Sequence, residues 1–423
     1  MTATAPRCTH AAPPFEKPRF ELADIFKRFG AAYRATHKLS VQQHKIMRAI
    51  ERCRTKLMGG SVKACTDCGY VEEHYFSCRD RHCPKCQGGL RWKWVNARLA
   101  EVLPIPYYHV VTTLPPLLNV LALYNKKIIY EIFYQASAAA LLAFGADPKF
   151  LGAQLGLIAI LHTWGQTLNY HVHWHFILTG GGLAADEQSW KRLPYRKKFL
   201  FPVEAVSMVI RGKFIALLDQ AYRKGELQFP PELGYLNHPA EFADFKAKLH
   251  QQAFYCYAKP PFAGPENLIK YIGAYTHRVA ISNHRLLDIT DSEIKLSYRD
   301  YRDKDERGEG KWKEMSLRWN VFIQRWLWHV VPKGFRRIRY GGFLGGNFTR
   351  KKKIALARRL LGVLQEKVLS QAPAATLARN DFDPTFGTKC PLCQGGTMIV
   401  IESIPRPWER PSGFTRRRRA DSS

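Results

Sequence analysis

Three histidines alternate with apolar residues near the middle of the chain, at His171, His173 and His175. The residues between and after them are β-branched or aromatic, which is typical of a strand. Because side chains alternate between the two faces of a strand, all three imidazoles are predicted to share one face. Imidazole is the commonest metal ligand in proteins, although a histidine pair on a strand is more often structural. Residues 180–182 are glycines, which let the backbone turn sharply or approach a ligand closely.

Length and charge limit the classes of protein to consider. The 423 residues suffice for two or three domains, and 46% hydrophobic residues can form a sizeable core. The formal net charge is +30, from 65 Lys and Arg against 35 Asp and Glu, which favours nucleic acid as partner. No apolar run reaches the roughly 18 residues that span a bilayer, and the N-terminus has no signal-peptide core. We therefore expect no membrane partner and a cytoplasmic location.

Cysteine spacing indicates a zinc site in the N-terminal quarter of the chain. Two Cys-x-x-Cys pairs close together are typical of a structural four-cysteine zinc site, and in a cytosolic protein they favour metal over disulfides. The predicted zinc ligands are Cys65, Cys68, Cys83 and Cys86. Cys78 and His82 are spare candidates. Such a site folds a small lobe that lacks a core of its own.

The order of predicted elements indicates an α+β fold. Residues 20–57 have helical spacing, and residues 107–115 form a β-rich run ended by two prolines. A long helical region over 117–144 precedes a second strand over 155–168, which leads into the histidine strand. A strand, helices and a histidine-bearing hairpin favour a central antiparallel sheet flanked by helices. Helical stretches are then predicted as far as about residue 257.

A tyrosine pair, Tyr271 and Tyr275, follows within the block 264–284. Pro265 and Glu266 fit a first helical turn, and the spacing of four places both phenols on one helix face. Such a pair often only packs on a core. Beside a metal-bearing sheet it also matches a nuclease whose phenolate attacks a phosphodiester while a metal ion polarises the phosphoryl oxygens. The cations predicted to aid ionisation and DNA binding are Lys270, His277 and Arg278.

Together these motifs resemble the two-tyrosine rolling-circle (HUH) transposases of the insertion-sequence-91 family. The resemblance covers most of the chain, and its longest and most specific part is the tyrosine block over 271–284. Its other parts are the zinc lobe with the run 81–87, the strand 110–115, the segment 163–168 and the histidine strand.

The resemblance implies a DNA transposase that nicks and rejoins single-stranded DNA at element ends through a 5′-phosphotyrosine. It implies a catalytic Mg²⁺ or Mn²⁺ held by His173 and His175. The third ligand would be Gln166 on the preceding strand or, as second choice, His171. Zn²⁺ would be structural. Partners would be single-stranded DNA of the transposon ends and target DNA, in the bacterial nucleoid.

The predicted domains are a flexible N-terminus over 1–18, a helical arm with the zinc-binding domain over 19–103, the HUH nuclease domain over 104–330, and a basic C-terminal DNA-binding extension over 331–423. Basic residues alternate with aromatics in the extension, which suits single-stranded DNA. Its lone pair Cys390 and Cys393 could dock on the N-terminal lobe or bind no metal.

Three other functions share part of the pattern. One is a non-enzymatic, zinc-containing DNA-binding regulator, and another is an HUH replication initiator or relaxase. The third is a hydrolase that uses a metal ion on His171, His173 and His175 to act on a small substrate, and the high positive charge counts against it. The chain has no Walker phosphate loop, so strand unwinding is assigned to host factors or supercoiling.

Overall fold

The structure is a computed structural model that describes residues 17–99, 101–193, 201–259, 273, 279–363 and 388–407. Among these residues, the helices are α1 (Leu22–Thr36), α2 (Val41–Arg52), α3 (Pro84–Leu99), α4 (Asn119–Tyr124), α5 (Lys126–Ala146), α6 (Val203–Arg223), α7 (Pro239–Gln251), α8 (Trp319–Trp328) and α9 (Asn347–Leu360). The strands are β1 (Gly60–Cys65), β2 (Val71–Tyr75), β3 (Tyr107–Thr113), β4 (Gln154–Trp164), β5 (Tyr170–Leu183), β6 (Trp190–Arg192), β7 (Cys256–Lys259), β8 (Leu286–Ile289), β9 (Glu293–Lys304), β10 (Gly310–Arg318), β11 (Ile338–Gly342), β12 (Thr388–Lys389) and β13 (Thr397–Ile404).

The central sheet has the strand order β11-β4-β5-β3-β7, and β6 pairs with β5 beside this path. Every pairing in it is antiparallel. The histidine strand is β5, at the centre of the sheet, where both faces are covered. The predicted α+β class with a central antiparallel sheet is therefore confirmed. The helical stretch predicted up to residue 257 ends earlier, because β7 begins at Cys256 and joins the sheet.

Helices α5 and α6 cover one face of this sheet. Trp174 and Phe176 of β5 point into their layer and share a core with Phe133 and Phe214. Trp174 thus lies on the face opposite the histidines, as its alternate position in the strand predicts. Among the described residues, α5 is the helix long and apolar enough to cross a membrane, yet 56% of its apolar window is buried. Its hydrophobicity is therefore that of a core helix.

The other face packs against α9 and the turn before it. Ile158 and Ile177 contact a cluster that contains Phe343 and Ile354. Strand β11 pairs with β4 along its whole length, so it forms one edge of the central sheet. The predicted separate extension over 331–423 is therefore wrong in its first part. Residues of β11 and α9 belong to the central domain, because they cover apolar side chains of β4 and β5.

The N-terminal helices pack against a small second sheet. Strands β8, β9 and β10 form this sheet in the order β10-β9-β8, and α8 follows directly. The Phe26 and Trp326 rings meet edge to face at 5.0 Å, and the Phe29 and Trp319 rings stack at 5.2 Å. Residues 286–328, predicted within the nuclease domain, therefore share a core with the N-terminal helices.

A third sheet joins the two ends of the chain, with the order β12-β13-β1-β2. Strand β13 pairs antiparallel with β1, from Gly60 opposite Ile404 to Cys65 opposite Met398. The last described residues thus complete a sheet that begins near the N-terminus. The lone cysteine pair of the C-terminal segment consequently lies beside the N-terminal lobe, which is one of the two alternatives that the sequence left open.

The three glycines after the histidines continue β5 and do not form a turn. A Cβ atom added to Gly180 would lie 2.7 Å from the carbonyl oxygen of Pro106. One added to Gly182 would lie 2.5 Å from the carbonyl oxygen of Gln154. Glycine is required here because neighbouring backbones approach closely, and the sharp turn, one of the two possibilities that the sequence left open, does not occur.

Candidate metal centres

Three imidazoles converge on one face of the central sheet. His173 and His175 come from β5, and His162 comes from β4, where it lies directly opposite His173 in the antiparallel register. Each offers a ring nitrogen, and these nitrogens all lie within 4.8 Å of one another. The ring centroids are 4.5 Å apart for His162 and His175 and 4.8 Å apart for His173 and His175. One divalent ion can be held at this spacing after small side-chain adjustments.

Neighbouring groups orient these rings. The Nδ1 of His173 donates to the carbonyl oxygen of His171 at 2.8 Å, so the lone pair of the neutral ring lies on Nε2. The Nδ1 of His175 lies 2.9 Å from the Nε2 of His109 on β3. Trp164 stacks on His162 at a centroid distance of 4.6 Å. Contacts of this kind fix the tautomer and direction of metal-binding histidines.

Burial disfavours protonation of two imidazoles beside the cluster. Burial, with the charges of Lys259 and His173 as smaller causes, lowers the pKa of His109 to about 3. Burial also lowers the pKa of His171. A lowered pKa keeps both of these rings uncharged at neutral pH, so they add no positive charge beside the cluster.

Two of the four predicted metal ligands, His173 and His175, belong to the histidine cluster. His171 lies outside it, although its ring centroid is 5.0 Å from that of His173. Gln166 was expected on the preceding strand but lies in the turn between β4 and β5, where its carbonyl oxygen accepts a hydrogen bond from Arg285. The strand ends earlier because residues 165–169 form the tight connection of the hairpin. The role of Gln166 as a ligand stays a prediction.

Sequence analysis missed His162, which completes the cluster. Its signal was available in the hairpin itself. Two antiparallel strands joined by a short turn pair at equal distances from that turn, and paired residues point to the same face. Counting back from the turn therefore places a residue near position 162 opposite His173.

The predicted nucleophiles, Tyr271 and Tyr275, lie outside the described residues. The same holds for Lys270, His277 and Arg278. Of residues 260–278, Gly273 alone is described, and it is helical and buried. The roles of these five side chains stay predictions.

Eight cysteines among the described residues form two groups of four. The first group is Cys53, Cys78, Cys83 and Cys86, and the second is Cys65, Cys68, Cys390 and Cys393. The structure thus divides the predicted zinc set, because its two Cys-x-x-Cys pairs fall in different groups. The pair at the end of β1 faces the C-terminal strands, whereas the pair at the start of α3 faces Cys53 at the end of α2. The prediction of one shared ion for both pairs is wrong.

The first cysteine group has the dimensions of a zinc site. The Sγ atom of Cys86 lies 3.5 Å from that of Cys53 and 3.6 Å from that of Cys78. A tetrahedral site with Zn–S bonds of about 2.3 Å has S–S edges of about 3.8 Å. The spare candidate Cys78 belongs to this group. The other, His82, does not, since its Nδ1 lies 2.8 Å from Asp80 Oδ1 and its Nε2 accepts from the Val331 amide.

Two family models match the chain. One is described as "Putative transposase" and matches residues 156–353, which include the histidine hairpin and α9. The other is described as "Transposase zinc-binding domain" and matches residues 25–114, which contain the whole first cysteine group. The N-terminal region is therefore a zinc-binding domain. No solved structure matches the chain.

Two relatives cover most of the chain. The chain is 43% identical over 399 residues to "Putative transposase y4qJ" of Sinorhizobium fredii (strain NBRC 101917 / NGR234), covering 92% of this chain and 98% of the relative. It is 28% identical over 364 residues to "Transposase for insertion sequence element IS801" of Pseudomonas savastanoi pv. phaseolicola, covering 83% and 82%. Its substrate is accordingly DNA. The chain belongs to the insertion-sequence-91 family of transposases.

Proposed function

We propose that this transposase cleaves and rejoins single-stranded DNA through a tyrosine, beside a divalent metal ion held by His162, His173 and His175. The observation that supports it best is the convergence of three imidazoles at the centre of the sheet in a transposase. The carbonyl oxygen of His171 orients the His173 ring, and the His109 ring contacts Nδ1 of His175. When bound, a divalent ion would polarise the phosphoryl oxygens of the DNA.

In the proposed reaction, the phenolate oxygen of Tyr271 or Tyr275 attacks the phosphorus atom. The bond from phosphorus to the 3′ oxygen breaks, which leaves a 5′-phosphotyrosine and a 3′ hydroxyl that has taken up a proton. The proton of the phenol leaves first, to water or a nearby base, because a phenol titrates near pH 10 and is a weak nucleophile while protonated. Attack of a 3′ hydroxyl on the phosphotyrosine reverses the step. Joining of the DNA strands therefore needs no ATP.

The donor set favours Mn²⁺ over Mg²⁺ as the ion. Mg²⁺ prefers oxygen ligands, whereas Mn²⁺ tolerates imidazole. Three neutral rings carry no fixed negative charge, so DNA phosphate would supply both charge and oxygen atoms. We therefore expect metal and DNA to bind cooperatively at this site.

A groove beside β11 suits a single strand. It has a volume of about 600 Å³ and is lined by basic and aromatic side chains, among them Lys127, Tyr134, Lys333, Phe335, Arg336 and Arg339. The Arg339 guanidinium lies 4.5 Å from the Tyr134 ring and pairs with both oxygens of Glu131 at 2.8 Å, so it shapes the groove wall. Lys333 and Arg336 are exposed and suited to phosphates.

The test is capture of the covalent intermediate. Single-stranded oligonucleotides from both ends of the surrounding element are incubated with the protein and Mn²⁺ or Mg²⁺. Denaturing electrophoresis then separates protein–DNA adducts. We expect an adduct that requires metal, that carries the 5′ side of the cut, and that is absent from the Tyr271→Phe, Tyr275→Phe double variant. The single variants rank the two tyrosines.

Histidine variants test the assignment of ligands. His162→Ala and His173→Ala are expected to abolish the adduct, whereas His171→Ala is the matched control and is expected to keep it. The control preserves the backbone carbonyl that orients His173. An adduct that survives in the double tyrosine variant would exclude these tyrosines as nucleophiles. Tight, salt-sensitive DNA binding without any adduct would favour the non-enzymatic regulator.

A further inference from the structure

We infer that the protein holds a second structural zinc ion, bound by Cys65 and Cys68 of the N-terminal lobe and by Cys390 and Cys393 of the C-terminal segment. The matched zinc-binding family model ends at residue 114, so half of this ligand set lies outside it. The first cysteine group already supplies a complete set of four within that range. The second group would therefore be an additional site that joins distant parts of the chain.

The sulfur atoms have the spacing of a tetrahedral site. The Sγ atoms of Cys65 and Cys393 are 3.7 Å apart, and those of Cys68 and Cys390 are 3.6 Å apart. All four Sγ atoms lie within 4.8 Å of one another. The edges of a ZnS₄ tetrahedron are about 3.8 Å, whereas a disulfide would require about 2.05 Å. The distances therefore fit four thiolates around one ion.

The two cysteine loops have matching backbone geometry. The amide of Cys65 donates to the Tyr70 carbonyl, and that of Cys390 donates to the Gly396 carbonyl, both at 2.8 Å. In each loop the residue after the second cysteine has positive φ, 70° at Gly69 and 58° at Gln394. Two loops distant in the sequence thus form similar turns, the second longer by one residue, and each turn brings the two thiols of its pair together.

Backbone amides also point at the sulfur atoms. The amide two residues after the first cysteine donates to its Sγ at 3.4 Å in both loops, from Asp67 to Cys65 and from Leu392 to Cys390. The Gly396 amide donates to Cys393 Sγ at 3.4 Å. Such hydrogen bonds stabilise the thiolate form in which cysteine binds a metal ion.

The C-terminal strand β13 has too few buried apolar contacts to be held in place by packing alone. Met398 is the one buried residue of β13, and the local core adds little beyond Cys65, Cys390 and Tyr70. Ile399 and Ile401 are about half exposed, at 48% and 55%. A lobe with so small a core requires a metal ion to be stable. The second ion would therefore supply the cross-link that fixes β12 and β13 to β1.

Zinc stoichiometry tests the inference independently of DNA cleavage. Elemental mass spectrometry of the full-length protein, purified under reducing conditions, is expected to give two zinc ions per chain. The Cys390→Ser, Cys393→Ser double variant is expected to retain one. Cys256→Ser is the matched control, since Cys256 belongs to neither group, and it should retain two. One zinc ion in the wild-type chain, or two in the double variant, would overturn the inference.

Thiol protection in the wild-type protein avoids any folding defect of the variants. Cys68 and Cys393 are exposed, so as free thiols they would react readily with N-ethylmaleimide. We expect both to be protected in the zinc-loaded protein and to become reactive after a zinc chelator is added, as located by peptide mass spectrometry. Rapid alkylation of either thiol while zinc is bound would refute the site.

Discussion

At the scale of single residues, the histidine centre depends on a buried imidazole that is not part of the ligand cluster. His109 is 1% exposed and contacts His175 through a hydrogen bond of 2.9 Å between ring nitrogens. If Nδ1 of His175 donates in this bond, the Nε2 atom of His175 has the lone pair that a metal requires. His109 is thus a positioning residue.

Substitution of His109 tests this role. In His109→Leu the Nδ1 atom of His175 loses its partner, and we expect the affinity for Mn²⁺ to fall about 10- to 100-fold. His109→Gln can still accept a hydrogen bond and should lose less. Isothermal titration with Mn²⁺ measures both, and circular dichroism checks that the fold is intact. Equal affinities in the wild type and His109→Leu would contradict the positioning role.

Residue identity predicted part of both candidate metal sites. Alternation along one strand placed His171, His173 and His175 on one face, because the two-residue period fixes the face, and the family resemblance singled out His173 and His175. It could not select Cys53, whose partners follow from the docking of α2 beside α3. Nor could it tell which Cys-x-x-Cys pairs share an ion, since each pair has the same local chemistry and only the tertiary fold chooses its partner.

At the scale of elements, the central hairpin requires close contact between backbones. Gly182 lies in β5 where an added Cβ would meet the Gln154 carbonyl oxygen at 2.5 Å. The nearest atoms that an added Cβ would meet belong to the backbone of Gln154, so a side chain at position 182 displaces the strand itself. The hairpin carries His162 and His173, and a shift in it would move the cluster.

We expect Gly182→Ala to lower the free energy of unfolding by about 1–3 kcal/mol, as overpacking typically does. Gly212→Ala is the matched control. Gly212 lies in α6 with no atom within 4 Å of an added Cβ, so alanine there should stabilise the helix by up to about 1 kcal/mol. Urea unfolding followed by circular dichroism measures both. A neutral Gly182→Ala would mean that the two strands can separate without loss.

Element types were easier to predict than element partners. The long apolar helix and the histidine strand have clear periodic patterns. Strand β11, from Ile338 to Gly342, contains arginine and two glycines and has no such pattern. It becomes a strand because it pairs with β4, so its place depends on tertiary contacts that local sequence does not encode.

At the scale of the whole molecule, distant segments share cores. The N-terminal helices contact residues 286–328 through the Phe26–Trp326 and Phe29–Trp319 ring pairs. Domain boundaries predicted at residues 103 and 330 therefore do not separate independent cores. The charge and composition of the chain give no sign of such contacts.

Trp326 is 2% exposed, and we expect Trp326→Ala to lower the free energy of unfolding by about 3–5 kcal/mol. Trp312 is 63% exposed on β10, and Trp312→Ala should change the free energy of unfolding by no more than about 0.5 kcal/mol. Unfolding by denaturant, followed by spectroscopy at several wavelengths, measures both changes. If the two variants were equally stable, the N-terminal helices would not share a core with α8.

The pairing of β1 with β13 has a consequence for how the protein is made. Residues 60–65 are synthesised long before residues 397–404. One edge of β1 therefore lacks its partner strand, β13, during most of translation. A truncated messenger RNA that ends before the codon for Cys390 yields a chain without β12 and β13. In that chain β1 lacks its partner strand β13, and Cys65 and Cys68 lack Cys390 and Cys393. Proteases act preferentially on such open segments, so completion of this sheet marks a chain that has been translated at least as far as β13.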